Sequence, residues 1–161
     1  IVQVQDFLGE RIAMENVSYY AAPQQEMTEI DFLNAVLERA DCHLLLDVNN
    51  IYVNSINHNY DPFAFLAALP GERIAYGHIA GHYREAEDLR VDTHGADVSD
   101  PVWQLLDVAY KTFGVFPTLL ERDFNIPPVA DLLAEVEQIR ICQQRHSQPD
   151  GTVKDIRLDV A

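Results

Sequence analysis

Six acidic or imidazole side chains carry the chemistry this sequence offers: Glu15, Asp47, His78, Asp92, His94 and Glu121. Glu15, Asp47, His78 and Glu121 each close a short apolar run, while Asp92 and His94 stand two residues apart in VDTHG. Residues two apart on an extended chain point to the same side. Carboxylates crowded into one pocket repel one another and take up protons unless a cation neutralises them. Carboxylate mixed with imidazole, and no thiolate, suits a catalytic iron, manganese or zinc centre better than a closed structural zinc site. Asn16, Asn50, His82 and Asp123 lie beside these six and are candidates for further ligands or for groups that orient the ligands.

Plainer readings compete at each position. Arg122 could pair with Glu121, and Asp47 could cap a following turn to which Asn49 and Asn50 supply only turn chemistry. His78 and His82 could be satisfied core histidines, a role that fits His94, between Asp92 and Gly95, least well. His43, His58 and His146 read as structural or surface residues, and Tyr19 and Tyr20 could flank a substrate but read more readily as surface packing. A common site is favoured because the coincidence recurs at four separate strand ends.

The elements that must position these groups follow from hydrophobic patterning. Four compact apolar runs, over residues 11–18, 43–50, 73–82 and 116–123, predict parallel strands covered on both faces. Helical patterns lie between and after them. Thr28 with Asp31 three positions on predicts a capped helix, apolar at Ile30, Leu33, Val36, Leu37 and Ala40. Asp61-Pro62 opens a second helix that Pro70-Gly71 closes. Asp100 as cap and Pro101 at the first helical position open a third, carrying Val102, Leu105, Leu106 and Ala109 and ending near Gly114. Pro127-Pro128 precede a fourth, apolar at Val129, Leu132, Leu133, Val136 and Ile139. The opening residues read as the end of a helix that runs into the first strand.

Strand and helix repeated four times imply a parallel sheet with right-handed crossovers. The polar residues that close the strands fall at 15, 47, 78 and 121, giving intervals of 32, 31 and 43 residues, near the ~30 residues of one βα unit. An open doubly wound sheet and a TIM barrel both fit this rhythm. The glycine-rich phosphate turn of the former is absent, and chemistry at the C-terminal ends of strands is the habit of the latter. A complete barrel takes about 250 residues, so four units are expected to form half of one. The half-barrel is expected over residues 1–145, with a flexible polar tail over 146–161.

Bulk composition excludes several classes. Hydrophobic residues at 48% and charged residues at 23% indicate a globular chain. No apolar run reaches the ~20 residues of a membrane span, and no export signal opens the sequence, which makes the cytoplasm the expected location. Eleven basic against 26 acidic residues give a formal charge of −15, a poor match for nucleic acid. Cys42 and Cys142 have neither zinc-ligand spacing nor an export context, so no disulfide is expected.

The stretches MENVSYY, LLLDVNNIYVNSINHNYDP, YGHIAGH, VDTHGADVSDPVW and TLLERDFNIPP resemble, in order, the signature segments of the domain of unknown function 692 family. This UPF0276-type family contains the MbnB- and TglH-like multinuclear iron oxygenases. The resemblance runs from Ile1 to Ile141. It implies a TIM (β/α)8 barrel of xylose-isomerase-like type, of which this chain holds strands five to eight, the C-terminal half. It implies metal ligands at Glu15, Asp47, His78, Asp92, His94 and Glu121, with Asn50 less certain, and two or three iron ions in the intact protein. Manganese and zinc are the alternatives. It further implies modification of cysteine in a ribosomally made precursor peptide, presented by a small partner protein.

Two departures from the family pattern matter. Further histidine ligands on strands three and four have no counterpart in this chain, so activity from this chain alone is not expected. Asn59 stands where a glycine is frequent, and asparagine tolerates the left-handed backbone that such a turn needs. Two other readings keep different parts of the picture. One is a divalent-metal sugar isomerase or phosphodiesterase-like hydrolase on the same barrel. The other is a non-catalytic half-barrel that forms a homodimer through its open edges.

Overall fold

The computed structural model describes residues 1–147. Helix α1 (Val2–Leu8) leads into strand β1 (Ala13–Glu15), α2 (Glu29–Ala40), β2 (His43–Asp47), α3 (Val48–His58) and α4 (Pro62–Ala67). A 3-10 turn at Gly71–Arg73 precedes β3 (Ile74–Ala80). A small hairpin of β4 (Tyr83–Arg84) and β5 (Arg90–Val91) follows, then α5 (Asp100–Phe113), β6 (Thr118–Glu121) and α6 (Val129–His146). Helix α6 thus includes His146, and the polar tail expected beyond it lies, from residue 148 on, outside the described residues. Among the described residues no helix is long and apolar enough to cross a membrane.

Strands β1, β2, β3 and β6 form one parallel sheet in that order. Spatial order equals chain order, without the reversal that marks a doubly wound sheet. Helices α2 to α6 contribute to a core on one face. Leu44, Leu46 and Ile79 of the strands pack with Leu33 and Leu37 of α2, Leu105 and Leu106 of α5, and Ile139 of α6 in a single core. On the other face Tyr76 and Leu119 stay 37% and 54% exposed. Helices on one side and inward-pointing polar residues on the other are the layering of a TIM-type barrel, and the described sheet is consistent with part of one.

Local chemistry explains the element boundaries. The Thr28 hydroxyl accepts from the Asp31 amide and starts α2, and Asp61 caps α4 ahead of Pro62. Asn59 ends α3 with φ of 54° and Gly114 ends α5 with φ of 83°, as their residue types allow. Several expectations shift. The run 43–50 is not one strand: β2 stops at Asp47, whose side chain accepts the Asn50 amide and opens α3. Asn50 therefore sits in the first turn of a helix. The cap of α5 is Ser99, with Asp100 already helical. Val129 and Leu133 of α6 remain exposed, because α6 packs inward chiefly through Ile139 and Cys142.

One glycine sets how closely the VDTHG segment approaches the sheet. A Cβ on Gly81, just after β3, would collide with the main-chain oxygens of Ala96 and Asp97. Backbone atoms cannot swing aside as a side chain can. Gly81→Ala is expected to lower unfolding free energy by about 1–3 kcal/mol in urea denaturation. Phe7→Ala, at a side chain 90% exposed, should change it by less than about 0.5 kcal/mol.

Candidate metal centre

Parallel register brings the strand ends together. Asp47 pairs with His78, and Ala80 with Glu121, so alternate residues of neighbouring strands share the uncovered face. One donor atom from each of Glu15, Asp47, His78 and Glu121 lies within 4.8 Å of the others. His78 Nδ1 is 3.1 Å from Glu121 Oε2 and 3.4 Å from Glu15 Oε1. Asp47 Oδ2, His78 Nδ1 and Glu121 Oε2 are all buried without a hydrogen bond. Buried polar atoms almost always have partners, so three orphans in one cluster demand an explanation. Ligands about 2.0–2.2 Å from a common ion stand roughly 3 Å from one another, which is the spacing found between His78 and Glu121. The donor set fits a divalent cation.

Asp92 and His94 form the adjoining part of the site. His94 Nε2 is 2.8 Å from Asp92 Oδ1, yet is buried and makes no hydrogen bond. Its Nδ1 bonds Asp123 Oδ2 at 3.2 Å and lies 3.5 Å from Glu121 Oε2. A carboxylate on one ring nitrogen is the usual way to aim the other at a metal, so Asp123 orients His94 while Nε2 and Asp92 Oδ1 face one point. His94, Glu121 and Asp123 also qualify as a group through donors within 4.8 Å. Glu121 belongs to both groups and is placed to bridge. The His94 backbone has φ of 49°, and strained conformations of this kind cluster at functional sites. The Asp123 amide donates to His94 O, and Asn125 Nδ2 to Gly95 O, tying the two loops together.

The competing readings resolve at named atoms. Arg122 turns away from Glu121 and pairs with Asp97 and Glu135, each at 3.0 Å. Asp47 does cap a helix, through Oδ1, which leaves Oδ2 for the cluster. Asn16 clamps the Asp47 backbone from both sides, Nδ2 donating to its carbonyl and Oδ1 accepting from its amide. Asn50 donates to Asn16 O and keeps Oδ1 buried without a partner. His82 stands outside both donor groups, with Nδ1 on Asn49 Oδ1 and its ring against Tyr52. His58 and His146 serve Tyr19 O and Asp107, and both cysteines are free and buried.

Three contributors escaped the sequence reading. Ser18 Oγ donates to Asp92 Oδ2, Asn49 Nδ2 donates to Asp92 Oδ1, and the Tyr20 hydroxyl accepts from the Asp92 amide. Each lies two to five residues beyond a strand end that was singled out, and that proximity was the available signal. Beside β1 a cavity of about 680 Å³ opens next to Glu15, walled by Val17, Tyr19, Met27 and Phe32.

Electrostatics bear the mark of crowded acid. Burial, aided by the Glu15 and Asp92 charges, pushes Asp47 up to about 8. Glu15 is raised by burial and by Glu121 despite the opposing pull of His78. The Asp92 carboxylate against its ring carries His94 to about 9. Asp92 is held below its usual range: burial alone would raise it, but His94 and Ser18 outweigh that. Without a metal, protons balance the site.

The fold and donor set define an α/β protein whose four-stranded parallel sheet is consistent with part of a TIM-type barrel, with a candidate metal centre at the C-terminal ends of its strands. A family model described as "RiPP precursor modification enzyme MbnB/TglH/ChrH" matches residues 1–144, and the chain belongs to that family. Among its relatives, a UPF0276 protein of Shewanella loihica is 65% identical over 149 residues, covering 92% of this chain and 54% of the relative. One of Alcanivorax borkumensis is 63% identical over 159 residues, covering 96% and 52%. One of Pseudomonas aeruginosa is 54% identical over 145 residues, covering 90% and 51%. The chain thus spans about half the length of the curated relatives it matches.

A pH dependence follows from the raised groups. Asp47 and His94 bind protons more tightly folded than unfolded, so their stabilisation is lost as pH rises through the folded values. Burial lowers His82 to about 4, and its opposite contribution is complete once pH passes 6.5, its ordinary value. The Tm of metal-free protein should therefore fall between pH 6.5 and 9, and saturating divalent metal should flatten that fall. A level or rising metal-free Tm across this window would rule the arrangement out.

Proposed function

We propose that the intact protein is an iron-dependent enzyme of the oxygenase type that modifies cysteine in a ribosomally made peptide. The observation that carries this reading is the convergence of buried donors without hydrogen bonds, Asp47 Oδ2, His78 Nδ1, Glu121 Oε2 and His94 Nε2, in a chain of a precursor-modifying family. Glu15, Asp47, His78 and Glu121 would hold one ion, and Asp92 and His94, with Glu121 between, a second. Asn16 fixes the backbone of Asp47, and Asp123 receives the His94 Nδ1 proton. Iron bound there supplies redox chemistry with dioxygen and a positive charge that holds a thiolate.

The protein's own part is placement. Backbone clamps and a helix cap hold the carboxylates near one another at no reorganisation cost when substrate arrives. The peptide reaches the site from the uncovered face, beside the cavity at Glu15, and a small partner protein presents it. The barrel is of xylose-isomerase-like type, with this chain as strands five to eight, and it works in the cytoplasm. The edge strands β1 and β6 and the open inner face at Tyr76 and Leu119 support a second reading for the chain by itself, in which two copies pair to cover these surfaces.

Elemental analysis tests the ligand assignment. His94→Ala should lose at least one iron per molecule and Glu121→Gln more than one, whereas unchanged iron content in His94→Ala removes that residue from the site. Dioxygen uptake stimulated by a cysteine-containing peptide, and abolished when cysteine is replaced by serine, separates this chemistry from a sugar isomerase or phosphodiesterase. For pairing, sedimentation velocity should give a species of twice the chain mass, and a monomer at tens of micromolar would exclude it.

A further inference from the structure

Asn49 is fully buried in the first turn of α3, and its carboxamide joins two groups from distant parts of the chain. Nδ2 lies 2.8 Å from Asp92 Oδ1, and Oδ1 lies 2.9 Å from His82 Nδ1. The direction of each bond follows from donor chemistry alone. Asp92 accepts from Ser18 Oγ on its other oxygen, as an ionised carboxylate does, and an ionised carboxylate can only accept. The amide must therefore turn its NH2 toward Asp92. Its oxygen, which also can only accept, then faces His82, and His82 Nδ1 must carry the hydrogen. In the neutral ring that leaves the lone pair on Nε2.

We propose that Asn49 is a positioning residue that fixes the Asp92 carboxylate beside His94 and locks His82 as the Nδ1–H tautomer. Ordinary turn chemistry does not account for the side chain, because neither of its partners is local. The ring of Tyr52, 5.1 Å from that of His82, restrains the imidazole from another side, so Asn49 selects between tautomers of a ring already placed. The effect on metal affinity rests on the functional reading above. The tautomer does not.

The two parts are tested separately in the 161-residue chain. Long-range nitrogen–proton correlation on metal-free protein with labelled histidine should show His82 as Nδ1–H near neutral pH. Asn49→Ala removes both bonds and should shift His82 toward Nε2–H. Asn49→Asp keeps an acceptor for His82 but sets a second carboxylate against Asp92, so the tautomer should persist. Cobalt(II) titration followed by visible absorption should show affinity about 10- to 100-fold weaker in both variants. An Nε2–H His82 in the unaltered chain overturns the proposal without any variant having to fold. So does Asn49→Ala with tautomer and cobalt affinity both unchanged. Failure of the unaltered chain to bind cobalt would rule out metal binding by this chain on its own, while the tautomer measurement still decides the role of Asn49.

Discussion

Like charges cannot be brought to within 5 Å of one another in a half-buried pocket unless something of opposite sign joins them. Glu15, Asp47 and Glu121 meet under that constraint, and much of the surrounding structure answers to it. The proton is one answer, visible in the raised carboxyls of Asp47 and Glu15 and in the strongly basic His94. Divalent cations are the other, and they would also give partners to Asp47 Oδ2, His78 Nδ1, Glu121 Oε2 and His94 Nε2. Among the described residues no arginine intrudes: Arg122 is committed to Asp97 and Glu135, and Arg90 bonds main-chain oxygens.

Holding mutually repelling groups in register requires a stiff frame, and the frame here is main chain. Parallel pairing sets Asp47 level with His78, the Asn16 carboxamide grips both sides of the Asp47 peptide, and α3 begins on Asp47 itself. The loop bearing Asp92 and His94 is held by Gly81, by Ser18, Asn49 and Tyr20, and by the chain after β6. A ligand fixed by backbone and by amides loses little freedom on binding a metal, which is the sense in which the site is preorganised.

Much of this was legible before the structure. The strand ends stood out because an apolar run closing in acid or imidazole is costly to bury without a purpose, and the β-to-α spacing followed from hydrophobic period alone. The stretch after Asp47 was not legible. Val48, Ile51 and Val53 continue an apolar pattern that suits a buried strand as well as a buried helix, and only the capping role of Asp47 distinguishes them. Asn49 was hidden for a related reason. A carboxamide beside a turn has many local uses, and the one it has here needs Asp92 and His82, which lie 43 and 33 residues away. Long-range polar pairs leave no periodicity to read.

The sheet's edges bear directly on the chemistry. Glu15 belongs to β1 and Glu121 to β6, and each of these strands is paired on one side only among the described residues. Two of the four clustered carboxylate and imidazole donors therefore ride on the least constrained strands of the sheet. Whatever pairs with β1 and β6 will restrict Glu15 and Glu121, and a cation that joins those residues will in turn draw the two edges into fixed relation. Closure of the sheet and occupation of the centre are thus linked, each strengthening the other by the same factor, and neither the affinity of the site nor the stability of the assembly is a property of the four strands alone.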